Sequence, residues 1–89
     1  MKVVGRNVLD AFCRRHVDAR QWVEHWLSEV EEASWGSPQQ VRDRYVSATF
    51  APRNRVLFGV MGNDYRLEVT VAYKTGTVVV QWAGLTPSV

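Results

Sequence analysis

Three short strings in the second half of the chain carry the residues best suited to chemistry: Arg53-Asn54-Arg55, Gly62-Asn63-Asp64-Tyr65-Arg66 and Tyr73-Lys74. All three fall in or beside segments that read as strands. Such segments already have an apolar face to fill a core, so cations on their remaining positions are free to meet an anion. Arginine suits a phosphate because its planar guanidinium bonds two oxygens at once. The charge distribution agrees. Residues 1–43 carry six Lys/Arg and seven Asp/Glu, whereas residues 44–89 carry five and two. A cationic sheet beside a slightly acidic helical half suggests a polyanionic partner, with RNA the first candidate. Composition alone leaves a plain solvated sheet face equally open. Four cations by themselves mean binding rather than cleavage, which needs a base and an acid as well.

Other chemistries find less support. Cys13 and His16 have a Cys-x-x-His spacing, but His25 is the only other histidine and Cys13 the only cysteine. A structural zinc site wants four such ligands, usually in two pairs, so no metal or other cofactor is expected. There is no Gly-x-Ser-x-Gly elbow, and Gly59 and Gly62 sit in a hairpin rather than ahead of a helix, so no phosphate-binding glycine loop is present. Trp22, Trp26 and Trp35 read as core, because a base-stacking platform needs exposed rings on a strand or loop.

The elements that position these residues follow from periodicity. Lys2-Val3-Val4 is a strand candidate ended by Gly5. Asn7 is placed to cap a first helix with Val8, Leu9 and Phe12 on one face, closed by Arg14, Arg15 and His16. Asp18 opens a second helix, in which Trp22, Val23, Trp26, Leu27, Val30 and Ala33 form an amphipathic stripe. Gly36 fits the position that ends it. Ser37, Pro38 and Gln40 restart a short third helix that runs to Arg44. From Tyr45 the period changes from 3.6 to 2. Val46 to Ala51 is a strand candidate, Pro52-Arg53-Asn54 a turn, and Val56, Phe58 and Val60 alternate with Arg55, Leu57 and Gly59. After a turn at Met61-Gly62-Asn63-Asp64, with Gly62 and Asn63 able to take positive φ, the next strand puts Tyr65, Leu67, Val69, Val71 and Tyr73 on one face. Arg66, Glu68, Thr70, Ala72 and Lys74 fall on the other. Thr77 to Trp82 is a last strand and Gly84 to Val89 a tail. The strands are joined by too few residues for parallel crossovers, so an antiparallel meander is expected. Helices precede strands. The predicted class is therefore α+β, two to three N-terminal helices packed on an antiparallel sheet, with residues 1–89 as one domain.

Eighty-nine residues with 46% hydrophobic content suit one small globular domain. A lone cysteine permits no intrachain disulfide, no apolar run approaches the roughly 20 residues of a membrane helix, and no apolar segment of signal-peptide type follows the N-terminal charge. A soluble cytoplasmic protein is expected.

Several strings together resemble the HigB family of toxins, within the RelE-like superfamily of bacterial toxin–antitoxin systems. The resemblance runs from Lys2-Val3-Val4 through His16-Val17-Asp18-Ala19 and Ala33-Ser34-Trp35. It is densest in Asn54-Arg55-Val56-Leu57-Phe58, Gly62-Asn63-Asp64-Tyr65-Arg66-Leu67 and Tyr73-Lys74. It implies a RelE-like fold, an endoribonuclease that cleaves mRNA on the translating ribosome, and a cognate helix-turn-helix antitoxin. It implies no membrane and no small-molecule cofactor. Arg55, Arg66 and Lys74 match the family's basic positions. Arg55 and Arg66 would be the catalytic pair that holds the scissile phosphate, and Arg53, Asn63 and Lys74 would bind RNA. Tyr65 and Tyr73 are supporting groups at best, since both fall on the core face.

The C-terminus departs from the family pattern. Family members commonly end in a Gly-Thr-His-x-x-Tyr-like string, whose histidine and tyrosine are natural proton carriers. This chain reads Gly84-Leu85-Thr86-Pro87-Ser88-Val89, and no histidine or tyrosine lies after Tyr73. Beside an active nuclease stand two alternatives: an RNA- or antitoxin-binding domain that has lost cleavage, and, as the plainer reading of the basic face, a small interaction protein.

Overall fold

A computed structural model describes residues 1–87. In chain order the elements are β1 (Lys2–Val4), α1 (Arg6–Arg15), a 3-10 turn (Val17–Ala19), α2 (Arg20–Glu32), α3 (Pro38–Arg44), β2 (Thr49–Ala51), β3 (Arg55–Val60), β4 (Tyr65–Ala72) and β5 (Thr77–Leu85). Among the described residues the strands form one sheet in the order β1-β5-β4-β3-β2. The predicted antiparallel meander holds for β2 through β5. β1 differs: it adds to β5 in parallel, so the sheet is mixed. The helices between β1 and the rest supply the long connection that a parallel neighbour needs.

The helices begin and end where tertiary contacts place them rather than where local signals do. α1 starts directly after Gly5, at φ 93°, with no side-chain cap, so Asn7 lies inside the helix. A Cβ on Gly5 would stand 2.7 Å from the Val80 carbonyl oxygen, so a bare residue is needed where the chain turns off β1 against β5. Asp18 does not cap α2. Its carboxylate instead accepts both contacts of the Tyr65 hydroxyl, at 3.0 and 2.8 Å. α2 ends at Glu32 with Ala33 extended, four residues before Gly36. The Met1 ammonium donates to the carbonyls of Val30, Glu31 and Ala33 at 2.9, 3.0 and 2.7 Å, so it satisfies the helix end that Gly36 was expected to close. Pro38 opens α3 as predicted, but Ser37 makes no side-chain cap bond, and Gln40 reaches back to the Gly36 N–H.

The helices cover one face of the sheet. Leu9 and Phe12 of α1, Val23, Trp26 and Val30 of α2, and Val41 of α3 meet Val56, Phe58, Leu67, Val69, Val71 and Val78 of the strands. Trp26 is 1% exposed and packs edge-on to Phe58 at 5.5 Å between ring centres. Trp35 is buried as well, and Trp22 is half-buried. The reading of these three rings as core holds. Among the described residues no helix is long and apolar enough to cross a membrane.

Candidate nucleic-acid interface

The alternation of β3 and β4 sends every second side chain away from the helices. On this outward face Arg66 stands opposite Gly59 on β3 and opposite Gly84 on β5. Both glycine positions are filled from elsewhere. A Cβ on Gly59 would come within 2.6 Å of the Asn63 Oδ1 atom and of the Gly62 carbonyl oxygen, because the β3–β4 turn folds back over it. A Cβ on Gly84 would come within 2.8 Å of the Trp82 ring. Arg66 is thus flanked by the Asn63 amide on one side and the Trp82 indole on the other. The turn that aims Asn63 has positive φ at Met61 and Gly62, one residue earlier than Gly62 and Asn63. Thr86 pins it, donating from its hydroxyl to the Asn63 carbonyl at 2.7 Å.

Around Arg66 the surface dips into a hollow of about 230 Å³, lined by Ser47, Thr49, Leu57, Asn63 and Thr86 among others. Among the described residues Arg66 makes no side-chain hydrogen bond and no ion pair, although it is only partly exposed. A partly buried guanidinium with its donors unspent is suited to an incoming oxyanion.

Arg55 shares the outward face but sits differently. Four residues separate it from Gly59, so it lies about 13 Å along β3 from the Arg66 row. Its guanidinium pairs with Glu68 at 3.6 Å and donates to the Pro52 carbonyl at 3.3 Å. Glu68 is the one carboxylate in the described strands and stands between the two arginines. Arg53 projects from the β2–β3 turn at φ 65°, exposed. Lys74 lies in the β4–β5 turn, beyond Ala72 and therefore more than about 20 Å along β4 from Arg66. The structure brings Asn63 to Arg66, puts Arg55 on the same face at a distance, and leaves Arg53 and Lys74 near the far end.

Trp82 belongs to this face and periodicity does not reveal it. Strict alternation puts residue 82 with the buried Val78 and Val80. A bulge breaks the ladder: Val69 pairs with Val80, Glu68 pairs with Trp82, and Gln81 has no partner. The extra residue turns Trp82 outward, 41% exposed, and returns Ala83 to the core. β5 then continues to Leu85, so the predicted tail is strand through Gly84 and Leu85, while Ser88 and Val89 lie outside the described residues.

The model of one protein family matches residues 19–85, well over half of the chain; it is described as HigB_toxin, the RelE-like toxic component of a toxin–antitoxin system. The chain belongs to the HigB toxin family. No curated protein matches it. Membership makes this HigB-family chain the toxin of a toxin–antitoxin pair, with an antitoxin as its partner, and the α+β fold with its sheet backed by helices is compatible with a RelE-like toxin.

The proton-carrying side chains of this HigB-family protein lie mostly on the helix side. The Tyr65 hydroxyl is turned to Asp18, and that hydrogen bond, then burial, raise its pKa. His16 packs tilted against Tyr65 and Phe12, with ring centres 4.8 and 5.1 Å apart. The Tyr73 hydroxyl is buried without a partner, and burial raises its pKa. On the outward face of the described strands Glu68 is the one carboxylate near Arg66.

Proposed function

We propose that the outward sheet face binds RNA, with Arg66 on a phosphate, and that the protein is an mRNA endoribonuclease acting on translating ribosomes in the cytoplasm under the control of a helix-turn-helix antitoxin. The observation that carries the reading is Arg66 itself, which lines a hollow with Asn63, stands across from the glycine that Trp82 covers, and has no side-chain acceptor bond among the described residues. In metal-free cleavage the 2′-hydroxyl attacks the adjacent phosphorus and the bond to O5′ breaks. A base takes the hydroxyl proton and an acid protonates O5′. Arg66 stabilises the charge that develops on the phosphate oxygens. Arg55 adds to the attraction from a distance, weakened by its pairing with Glu68. Arg53, Asn63 and Lys74 guide the strand, with Asn63 the nearest of them to Arg66.

A second reading is favoured by one observation. Arginine does not exchange protons at neutral pH, and the one carboxylate on the described strands is already paired with Arg55. RNA is then bound and cut slowly, as by a domain whose cleavage is impaired. Primer extension on a translated message separates the two readings. The 89-residue chain, its Arg66→Ala variant and a form carrying a Thr-His-x-x-Tyr ending after Gly84 are compared. Strong cutting by the chain itself, lost in Arg66→Ala, supports the nuclease. Weak cutting by the chain and strong cutting by the form with the altered ending supports the binding domain.

A further inference from the structure

We propose that Trp82 is a stacking platform for one unpaired base of the RNA whose phosphate Arg66 holds, an inference that rests on the RNA reading above. Three observations place the ring for this. The bulge at Gln81 turns it out of the core to 41% exposure. Its six-membered edge lies over Gly84, where a Cβ would meet Cζ2 at 2.8 Å and Cη2 at 3.1 Å, so the indole is laid along the sheet instead of standing off it. Gly84 is the cross-strand partner of Arg66, which puts the ring about one strand spacing, near 5 Å, from the arginine.

An exposed tryptophan on a strand, beside an unpaired arginine, has the two components that single-stranded nucleic acid uses: a flat apolar surface for a base and a cation for its backbone. A phosphate and the base of the same nucleotide are separated by one sugar, which matches the short step from Arg66 to the ring. The partner is single-stranded, because a base inside a duplex has no free face to offer. Charge favours RNA over an apolar protein segment. Arg66 lies diagonally across from the ring, and Arg55 and Arg53 lie further along the same sheet; Glu68, the cross-strand partner of Trp82, is the only carboxylate among the described strands, and Arg55 pairs with it. Every base has a π-face, so the platform selects for an unpaired nucleotide at that step rather than for a particular base.

The test uses the full chain and a short fluorescein-labelled single-stranded RNA, with Trp82→Ala, Trp82→Phe and an RNA of the same length carrying an abasic site at each position in turn. The expected result has four parts. Trp82→Ala weakens binding by about tenfold to a hundredfold. Trp82→Phe retains most of the affinity. One abasic position costs the parent as much as the alanine substitution, and costs Trp82→Ala nothing further. RNA also quenches tryptophan emission in the parent and not in Trp82→Phe, whose remaining rings at 22, 26 and 35 are half-buried or buried. Equal affinity of the parent and a folded Trp82→Ala overturns the stacking role alone. So does a Trp82→Ala variant that binds RNA normally but fails to associate with a protein partner, which makes the patch a protein surface. Failure of the parent to bind any single-stranded RNA overturns the RNA reading and the platform together.

Discussion

The indole of Trp82 occupies the space that a side chain at Gly84 would need, 2.8 Å from where the Cβ would stand. The sheet leaves Gly84 bare and the ring covers it, next to Arg66. Gly84 has no left-handed backbone, so alanine fits its conformation and clashes only with a movable ring. Gly84→Ala should therefore lift the indole while the fold persists, with a melting temperature equal to or slightly above the parent's, since a glycine is less costly to order once replaced. Its tryptophan emission should change, and its affinity for single-stranded RNA should fall several-fold. An unchanged emission spectrum would show that the ring does not lie where Gly84 leaves room.

Arg55 and Arg66 are expected to differ although both sit on the outward face. Arg55 is already paired with Glu68, so Arg55→Ala should weaken RNA binding by less than Arg66→Ala does. Glu68→Gln removes the one negative charge of the described strands and frees Arg55, and should strengthen binding two- to threefold or more at low salt, the gain shrinking as salt screens it. Filter binding at two salt concentrations checks this. Weaker binding by Glu68→Gln would show that the carboxylate takes part in holding the RNA.

How much of this was legible in the sequence differs by element. The α2 stripe was legible because Trp22, Val23, Trp26 and Val30 repeat at helical spacing, and β3 and β4 were legible because their apolar residues alternate strictly. Arg66 on the open face followed from that alternation. Trp82 did not, because a single unpaired residue, Gln81, inverts the alternation and leaves no local signature in a run of valines. Asp18 has the form of a cap in sequence but does not act as one, because Tyr65, 47 residues away, takes its carboxylate. β1 was legible as a strand, but its parallel pairing with β5 is set by helices that intervene. The pairing of Arg55 with Glu68 depends on the register of β3 against β4, which the turn between them fixes and periodicity alone does not. The roles assigned to these residues rest on placement and chemistry, with Lys74 standing apart from Arg66.

The core supports the face from behind, and Trp26 is its largest fully buried side chain. Replacing a buried tryptophan by alanine costs about 3–5 kcal/mol, against the roughly 5–15 kcal/mol by which a domain is stable. Trp26→Ala should melt far below the parent and express poorly. A melting temperature within a degree or two of the parent's would contradict the packing of Trp26 on Phe58.

Stability should also fall in alkali. The bond to Asp18, then burial, raises the Tyr65 pKa above its ordinary 10.0, and burial, then the charge of Glu29, raises that of Tyr45. The folded chain keeps both phenols protonated where the unfolded chain releases the protons. The stabilisation is therefore fully present below about pH 10 and is lost as pH rises through the folded values. Tyr65→Phe, which also removes the partner of Asp18, should unfold with a shallower dependence on pH above 10 in urea titrations. A slope identical to the parent's would mean that Tyr65 titrates alike in both states.

The most direct measurement is the salt dependence of RNA binding by the parent, by Arg66→Ala and by Arg14→Ala, whose arginine is exposed on α1 away from the open face. Loss of one phosphate contact should lower affinity by about tenfold or more, since a charge-assisted bond contributes roughly 1.5–3 kcal/mol, and should reduce the slope of log K against log salt by about one. Arg66→Ala is expected to show both changes and Arg14→Ala neither. Equal behaviour of the two variants, with both folded, would contradict the assignment of RNA binding to the outward face of the sheet.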